Sequence, residues 1–194
     1  MIRLFSALIA VLIATLAPLL AGAGGASAQM FFDFTGTSNN SYLGRSSPIP
    51  RTAVIYPTRY APGTVVINTG ERRLYLVLPN GQALRYGIGV GRDGFRWGGV
   101  HRISAKKEWP EWTPPSQMLA RRPDLPRHMR GGIENPLGAR ALYLGSTLYR
   151  IHGSNEPETI GQAVSSGCFR MTNEDVTDLY GRVSVGTTVV VLNN

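Results

Sequence analysis

Apolar and polar positions along this chain fall into three regimes. From Leu4 to Leu20 the residues are almost uninterruptedly apolar. Residues 29 to 52 are rich in Ser, Asn, Gly and Pro and keep no period, which predicts an extended or flexible arm. From Ala53 onward short β-branched runs alternate with turn residues, the pattern of a β domain. Thr64-Val65-Val66-Ile67-Asn68 is closed by Thr69-Gly70-Glu71. Arg73 to Leu78 follows, then Pro79-Asn80-Gly81 and a third run from Ala83 to Val90. Asn-Gly between two such runs is a strong hairpin signal, so these three runs predict an antiparallel meander.

Residues 91 to 140 break the pattern. Trp109, Trp112 and six prolines interrupt any long element, and the spacing predicts only a short helix over Ser116 to Arg121. So long an irregular stretch either walls a cleft or covers the sheet. Strand character returns at Ala141 to Leu144 and at Thr147 to Ile151. A compact helix is expected after Thr172, which can cap it with Asp175 at the third helical position. Val176, Leu179 and Tyr180 share one face, and Gly181 is placed to end the helix. Thr187 to Leu192 reads as a final strand. The fold class expected is mainly β, a sandwich-like domain over residues 53–194 with one or two short helices.

The apolar start changes the picture of where the chain works. Arg3 precedes the run, and Ala26-Ser27-Ala28 ahead of Gln29 has the A-x-A form of a signal-peptidase site. Residues 1–28 are therefore expected to leave as a signal peptide, placing the protein in the periplasm or cell envelope. An uncleaved anchor is the alternative, since the run nearly reaches spanning length. The net charge is +8, or +7 without Arg3, from arginines scattered along the chain. Such a balance suits anionic polymers, acidic peptides or a membrane surface. No nucleic-acid motif accompanies it, so nucleic acid is not an expected partner.

One cysteine is present, so no intramolecular disulfide forms. A lone thiol in an oxidising compartment is a liability, which directs attention to the residues around Cys168. His152 stands at the end of a predicted strand, sixteen residues earlier. Imidazole is the usual partner that activates a thiol. In Ser165-Ser166-Gly167-Cys168-Phe169-Arg170, Gly167 lets backbone approach a substrate carbonyl, amides beside the nucleophile can hold an oxyanion, and Arg170 can pair with a carboxylate. His101 and His128 read as surface residues. No zinc spacing is present, and no metal or cofactor is expected. Ser154, Ser165 and Ser166 lack a G-x-S-x-G elbow and are weak nucleophile candidates.

Ile151-His152-Gly153-Ser154, followed by Ile160 through Met171, closely resembles the signature of L,D-transpeptidases with a YkuD-type catalytic domain. Asn173, Asp175, Leu179 and Tyr180 continue the likeness, as do Trp112 to Pro115 and Gly131 to Gly138 upstream. The resemblance covers residues 60 to 193. It implies Cys168 as the acylated nucleophile, His152 as its base and the Gly153 carbonyl as the group orienting the imidazole. It further implies Gly167 and Cys168 amides at the oxyanion, Arg170 near the substrate, and Ser165 and Ser166 in the substrate-binding loop. Many members have His in place of Ser166, and Ile or Val in place of Phe169.

The implied reaction is acyl transfer without a cofactor. A peptidoglycan tetrapeptide stem loses D-Ala to form a thioester, which a diaminopimelate amine resolves into a 3→3 cross-link. Water or the amine of an envelope protein are alternative acceptors, and a non-catalytic wall-binding module is the alternative from another class. Carbapenems are the covalent inhibitors the resemblance implies. Alkylation is expected to follow a Cys168 thiolate titrating below the ordinary value near ~8.5, and an unperturbed thiol curve would mean that His152 is not paired with it.

Overall fold

The computed structural model describes residues 46–193. The expected signal segment and most of the expected arm lie outside the described residues. What is described of the arm is packed: Ile49 sits where Gly87 and Gly161 leave room for it, and Arg51 pairs with Asp175 at 3.3 Å and with Asp178 at 3.6 Å.

Three strands form the predicted meander: β2 (Val65–Asn68), β3 (Arg73–Leu78) and β4 (Gln82–Gly87). Leu78 pairs with Gln82 across the turn, and both Asn80 (φ 59°) and Gly81 (φ 67°) take the left-handed conformation that selects these residue types. β1 (Thr52–Ile55) adds antiparallel to β4 at the sheet's edge. The expected third run to Val90 is divided. Its last residues leave the meander as β5 (Val90–Gly91), which borders the candidate nucleophile loop through a parallel bridge to β9 (Ala163–Ser165).

One strand departs from expectation. β6 (Gly99–Glu108) is ten residues long inside the stretch expected to be irregular. Its sequence, Gly-Val-His-Arg-Ile-Ser-Ala-Lys-Lys-Glu, shows no apolar alternation because Ile103 is its one fully buried hydrophobic side chain. The first half of β6 pairs with β11 (Thr188–Leu192). After an irregularity between Ile103 and Ala105 its second half pairs with β7 (Arg140–Leu144). A bulge of this kind bends and twists a strand. Here it carries one sheet into the next, in the order β1-β4-β3-β2-β11-β6-β7-β8-β10, with β8 at Arg150–His152 and β10 at Phe169–Arg170. The result is a curled, mainly β domain with two short helices, α1 (Ser116–Arg121) and α2 (Asn173–Arg182).

The main core lies inside the curl. Val65, Ile67, Leu74 and Leu84 from the meander meet Ile103, Leu142, Ile151 and Phe169 from the other half, with Val176 and Leu179 of α2 between them. The opposite face of the meander is covered too, by Val66, Tyr75, Val77 and Ala83 under Val54, Tyr56 and Tyr60. Burial on both faces explains why β2 and β3 read as continuous apolar runs. Each such side chain contributes roughly 1.5–3 kcal/mol of burial.

α2 begins as its sequence predicts: Thr172 Oγ1 accepts from the Asp175 amide at 3.2 Å. It does not end at Gly181. The helix continues to Arg182, and Lys106 Nζ donates to the carbonyls of Tyr180 and Val183, both at 2.6 Å. An ammonium from β6 thus satisfies the C-terminal carbonyls that a left-handed glycine would otherwise serve.

Candidate active site

β8 and β10 run parallel, with Phe169 opposite Ile151 and Arg170 opposite His152. Side chains alternate faces along each strand. Ile151 and Phe169 point into the core and are fully buried, which fixes the register. The same alternation sends Arg150, His152, Cys168 and Arg170 to the other face, and all four line one cleft of about 540 Å³. Apolar demand on one face of two short strands has therefore assembled the polar constellation on the other.

His152 is buried, and its Nδ1 lies 2.6 Å from the Gly153 carbonyl. A carbonyl can only accept, so the bond places the proton on Nδ1 and leaves the Nε2 lone pair free as a base. Burial first, then the Arg170 guanidinium, push the imidazole down to about 3, against an upward pull from the Gly153 carbonyl. Gly153 must be glycine: a Cβ there would land on Asn173 Oδ1, which accepts from the Ala139 amide at 2.8 Å and the Ser154 amide at 3.3 Å. Asn173 thus locks the backbone that orients the histidine.

Cys168 is half-buried, with Sγ 4.0 Å from the Leu148 carbonyl. Burial raises its thiol above the ordinary value, and the charge and amide of Arg150 only partly counter this. The sequence-based expectation of a lowered thiol is therefore corrected. A poorly solvated sulfur disfavours the thiolate, and a histidine held neutral supplies no cation to rescue it. Burial thus shifts both groups toward their neutral forms.

The loop before Cys168 is tied by its own groups. Ser165 Oγ donates to the Cys168 carbonyl at 2.6 Å and accepts from the Gly167 amide at 3.1 Å. The Gly167 amide is thus engaged. Among the described residues the Cys168 amide has no acceptor, which leaves it as this loop's candidate oxyanion donor. Gly167 takes φ 109°, and a Cβ there would strike the Tyr149 ring.

Trp97, which carries no sequence signal, clamps this turn. Its Nε1 donates to the Gly167 carbonyl at 2.7 Å, and its ring stacks on Tyr149 at 4.4 Å. Peptide planarity makes the Gly167 carbonyl and the Cys168 N–H point opposite ways, so holding the first aims the second. His101, expected at the surface, packs edge-on against Trp97 at 5.0 Å, while His128 is exposed.

Arg170 Nη1 pairs with Glu156 Oε2 at 2.9 Å. Ser166 lines the cleft beside it. Ser154 is buried, and its Oγ accepts from the Glu156 amide at 2.9 Å, which makes it part of the frame that presents Glu156. The irregular stretch forms the far wall: Trp112, Met118, Leu125 and Met129 face the cleft, whereas Trp109 does not line it. Its base is tied by buried Asn135, whose amide donates to the carbonyls of Pro110 and Arg130 at 3.2 and 2.9 Å. Among the described residues no three His, Cys, Asp or Glu side chains converge as a metal site would require.

The sequence model of the L,D-transpeptidase catalytic domain matches residues 62–191. Over 135 residues the chain is 42% identical to the probable L,D-transpeptidase YbiS of Escherichia coli K12, covering 64% of this chain and 43% of that protein. It is 36% identical over 138 residues to the probable L,D-transpeptidase ErfK/SrfK of the same strain, covering 66% and 44%. The chain thus spans less than half the length of these curated relatives. A solved structure from Brucella melitensis, described as a probable carnitine operon oxidoreductase, is 47% identical with a TM-score of 0.51, covering 78% of this chain and 99% of that one. The catalytic domain of the Enterococcus faecium L,D-transpeptidase acylated by ertapenem is 18% identical with a TM-score of 0.53, covering 70% of this chain and all of that one. At that identity the likeness is one of fold.

Proposed function

We propose, from the fact that this chain belongs to the family of L,D-transpeptidase catalytic domains, that it carries out cysteine acyl transfer on peptidoglycan stem peptides in the cell envelope. The observation that carries the reading is the His152 ring, turned by the Gly153 carbonyl so that Nε2 is its free nitrogen, on the same strand-pair face as Cys168. With both groups neutral at rest, His152 Nε2 takes the thiol proton as Sγ bonds to the carbonyl carbon preceding D-Ala. The Cys168 amide accommodates the oxyanion. The C–N bond then breaks, the imidazolium returns its proton to the leaving amine, and D-Ala departs from a Cys168 thioester. A diaminopimelate amine attacks next, gives a proton to His152, and expels the sulfur. The product is a 3→3 cross-link, and no cofactor enters the cycle.

Arg170 stands beside this path and serves a substrate carboxylate, with Glu156 as its partner while the cleft is empty. Carbapenems acylate the same sulfur. Residues 1–28 act as the export signal, with cleavage after Ala28.

Mass spectrometry of the mature protein with disaccharide-tetrapeptide tests the reading. Loss of D-Ala together with a cross-linked dimer is the expected result. Tripeptide without dimer would make water the acceptor. A folded protein that forms neither product nor adduct with tetrapeptide or carbapenem would overturn the enzymatic reading.

Trp97→Phe keeps an aromatic ring on Tyr149 but removes the donor to Gly167. Acylation by tetrapeptide is expected to slow by about 10- to 100-fold, somewhat less than the loss of a direct oxyanion donor. Alkylation by iodoacetamide, which builds no oxyanion, should keep its rate. Equal slowing of both reactions would mean that Trp97 only holds the fold.

A further inference from the structure

Arginines dominate the charge of the cleft, and most have local partners. Arg122 is bidentate on Asp124, at 2.9 and 2.6 Å, and Arg170 is held by Glu156. Arg150 donates to the Leu148 carbonyl at 2.9 Å and lies over Tyr143. Two others are placed differently. Arg92, just beyond β5, lies over the Phe95 ring with its guanidinium carbon 4.5 Å from the centroid. Arg121, the last residue of α1, lies 5.3 Å from the same centroid. All three residues line the cleft that holds Cys168. Among the described residues neither guanidinium has a carboxylate partner or a hydrogen-bond acceptor.

Two cations gathered on one ring repel each other, and the ring's quadrupole offsets only part of that repulsion. The backbone nevertheless builds the arrangement. The Arg92 amide donates to the Ser165 carbonyl at 3.1 Å, which fixes Arg92 to the nucleophile loop. The Phe95 amide donates to the Arg92 carbonyl at 2.9 Å, closing the turn that presents the ring. Gly91 lets this turn close, since a Cβ there would come within 2.5 Å of the Phe95 carbonyl oxygen. Arg121 arrives from the end of α1. The pair therefore lines the cleft with positive charge that has no counterion among the described residues.

We propose that Arg92 and Arg121, spread on Phe95, form a second carboxylate-binding station of the cleft, separate from Arg170, that reads a carboxylate of a peptide strand lying across the nucleophile. The inference rests on the peptidyl-transfer reading above and adds a specificity element to it. Guanidinium forks suit carboxylates because each offers two parallel donors. The carboxylate belongs either to the donor strand or to the acceptor strand, and the two differ in which Michaelis constant the station controls.

The test uses Arg92→Gln/Arg121→Gln in the full mature chain, with tetrapeptide donor and with acceptor peptides bearing free or amidated carboxylates. The double variant is expected to raise KM for the free-acid peptide by about 10- to 100-fold, the range of lost charge-assisted bonds, with kcat changed less than about threefold. Amidated peptide should bind wild type and variant alike. A rise confined to donor KM assigns the station to the donor strand, and a rise confined to acceptor KM assigns it to the acceptor strand. Unchanged KM for both strands overturns the proposal, as does equal discrimination between acid and amide in wild type and variant.

Iodoacetamide, which is neutral, reports whether Cys168 and its surroundings are intact in the variant. Calorimetric binding of the same peptides to Cys168→Ala, with and without Arg92→Gln/Arg121→Gln, keeps this test independent of turnover. Charge-dependent binding there supports the station even if wild type yields no product, and its absence in the presence of peptide binding overturns it. If the double variant unfolds, Phe95→Leu, which removes the shared ring and keeps both charges, is expected to weaken acid-peptide binding selectively. No selectivity in that variant overturns the proposal.

Discussion

Alanine at position 168 is expected to remove every covalent adduct, with tetrapeptide and with carbapenem alike, and to lower turnover by at least about 10³-fold. No other thiol exists in the chain to replace it. The fold should persist. Cys168 belongs to the polar face of the β8–β10 pair, and the neighbours that bury their side chains are Ile151 and Phe169. Loss of one half-buried sulfur should change stability by no more than about 1 kcal/mol. Intact-mass spectrometry reads the first effect and thermal melting the second. An adduct surviving in Cys168→Ala would place the nucleophile elsewhere, and a large fall in Tm would mean that the sulfur holds the loop together.

Acid should reveal His152 in two ways. An imidazole pushed down to about 3 stays neutral through the range in which an ordinary histidine charges. The acid limb of Cys168 acylation is therefore expected well below pH 6.5, while alkylation should follow a thiol titrating above the ordinary value near ~8.5. An acid limb near 6.5 would mean that the imidazole is better hydrated than its burial implies.

Stability carries the second sign of this histidine. The folded protein refuses a proton that the unfolded chain accepts, so the histidine's contribution is complete above pH 6.5 and is lost as the pH falls toward 3. Between pH 7 and 4 this loss comes to about 3 kcal/mol. Asp175 acts in the opposite direction. Burial raises it from 3.8 to about 6, against the pull of Arg51 and the Thr172 bond. Its proton is therefore held more tightly in the folded state, and stability rises by about 3 kcal/mol as the pH falls from 6 to 4. The two nearly cancel in wild type.

Asp175→Asn is thus expected to expose the histidine's slope, with stability falling by about 3 kcal/mol between pH 7 and 4. His152→Gln should expose the opposite slope. Urea unfolding at a series of pH values measures both. Parallel curves for wild type and the two variants would rule out both burial effects.

The elements legible in the sequence were those whose side-chain pattern is set locally. The meander from Val65 to Gly87 could be read because β-branched runs and an Asn-Gly turn specify strands and register without outside help. α1 and the Thr172 cap could be read for the same reason. Cys168, His152 and Gly153 were singled out through a long motif resemblance, and the fold brings Cys168 and His152 into one cleft.

Tertiary structure decided what depends on partners distant in the chain. β6 is hidden in sequence because it hands one sheet to the next and buries little of its own, and the end of α2 is set by Lys106 rather than by Gly181. Trp97 reaches Gly167 across 70 positions of sequence, a contact that no local pattern records. Protonation was likewise out of reach of the sequence. The residue types suggested a lowered thiol, but the cost of desolvating charge in the assembled cleft pushes the thiol up and the imidazole down. Sequence alone determined which reactive groups the chain carries, because residue identity fixes chemistry. The fold determined their proton state and aim, because both arise from burial and from hydrogen bonds that exist only once the distant strands have met.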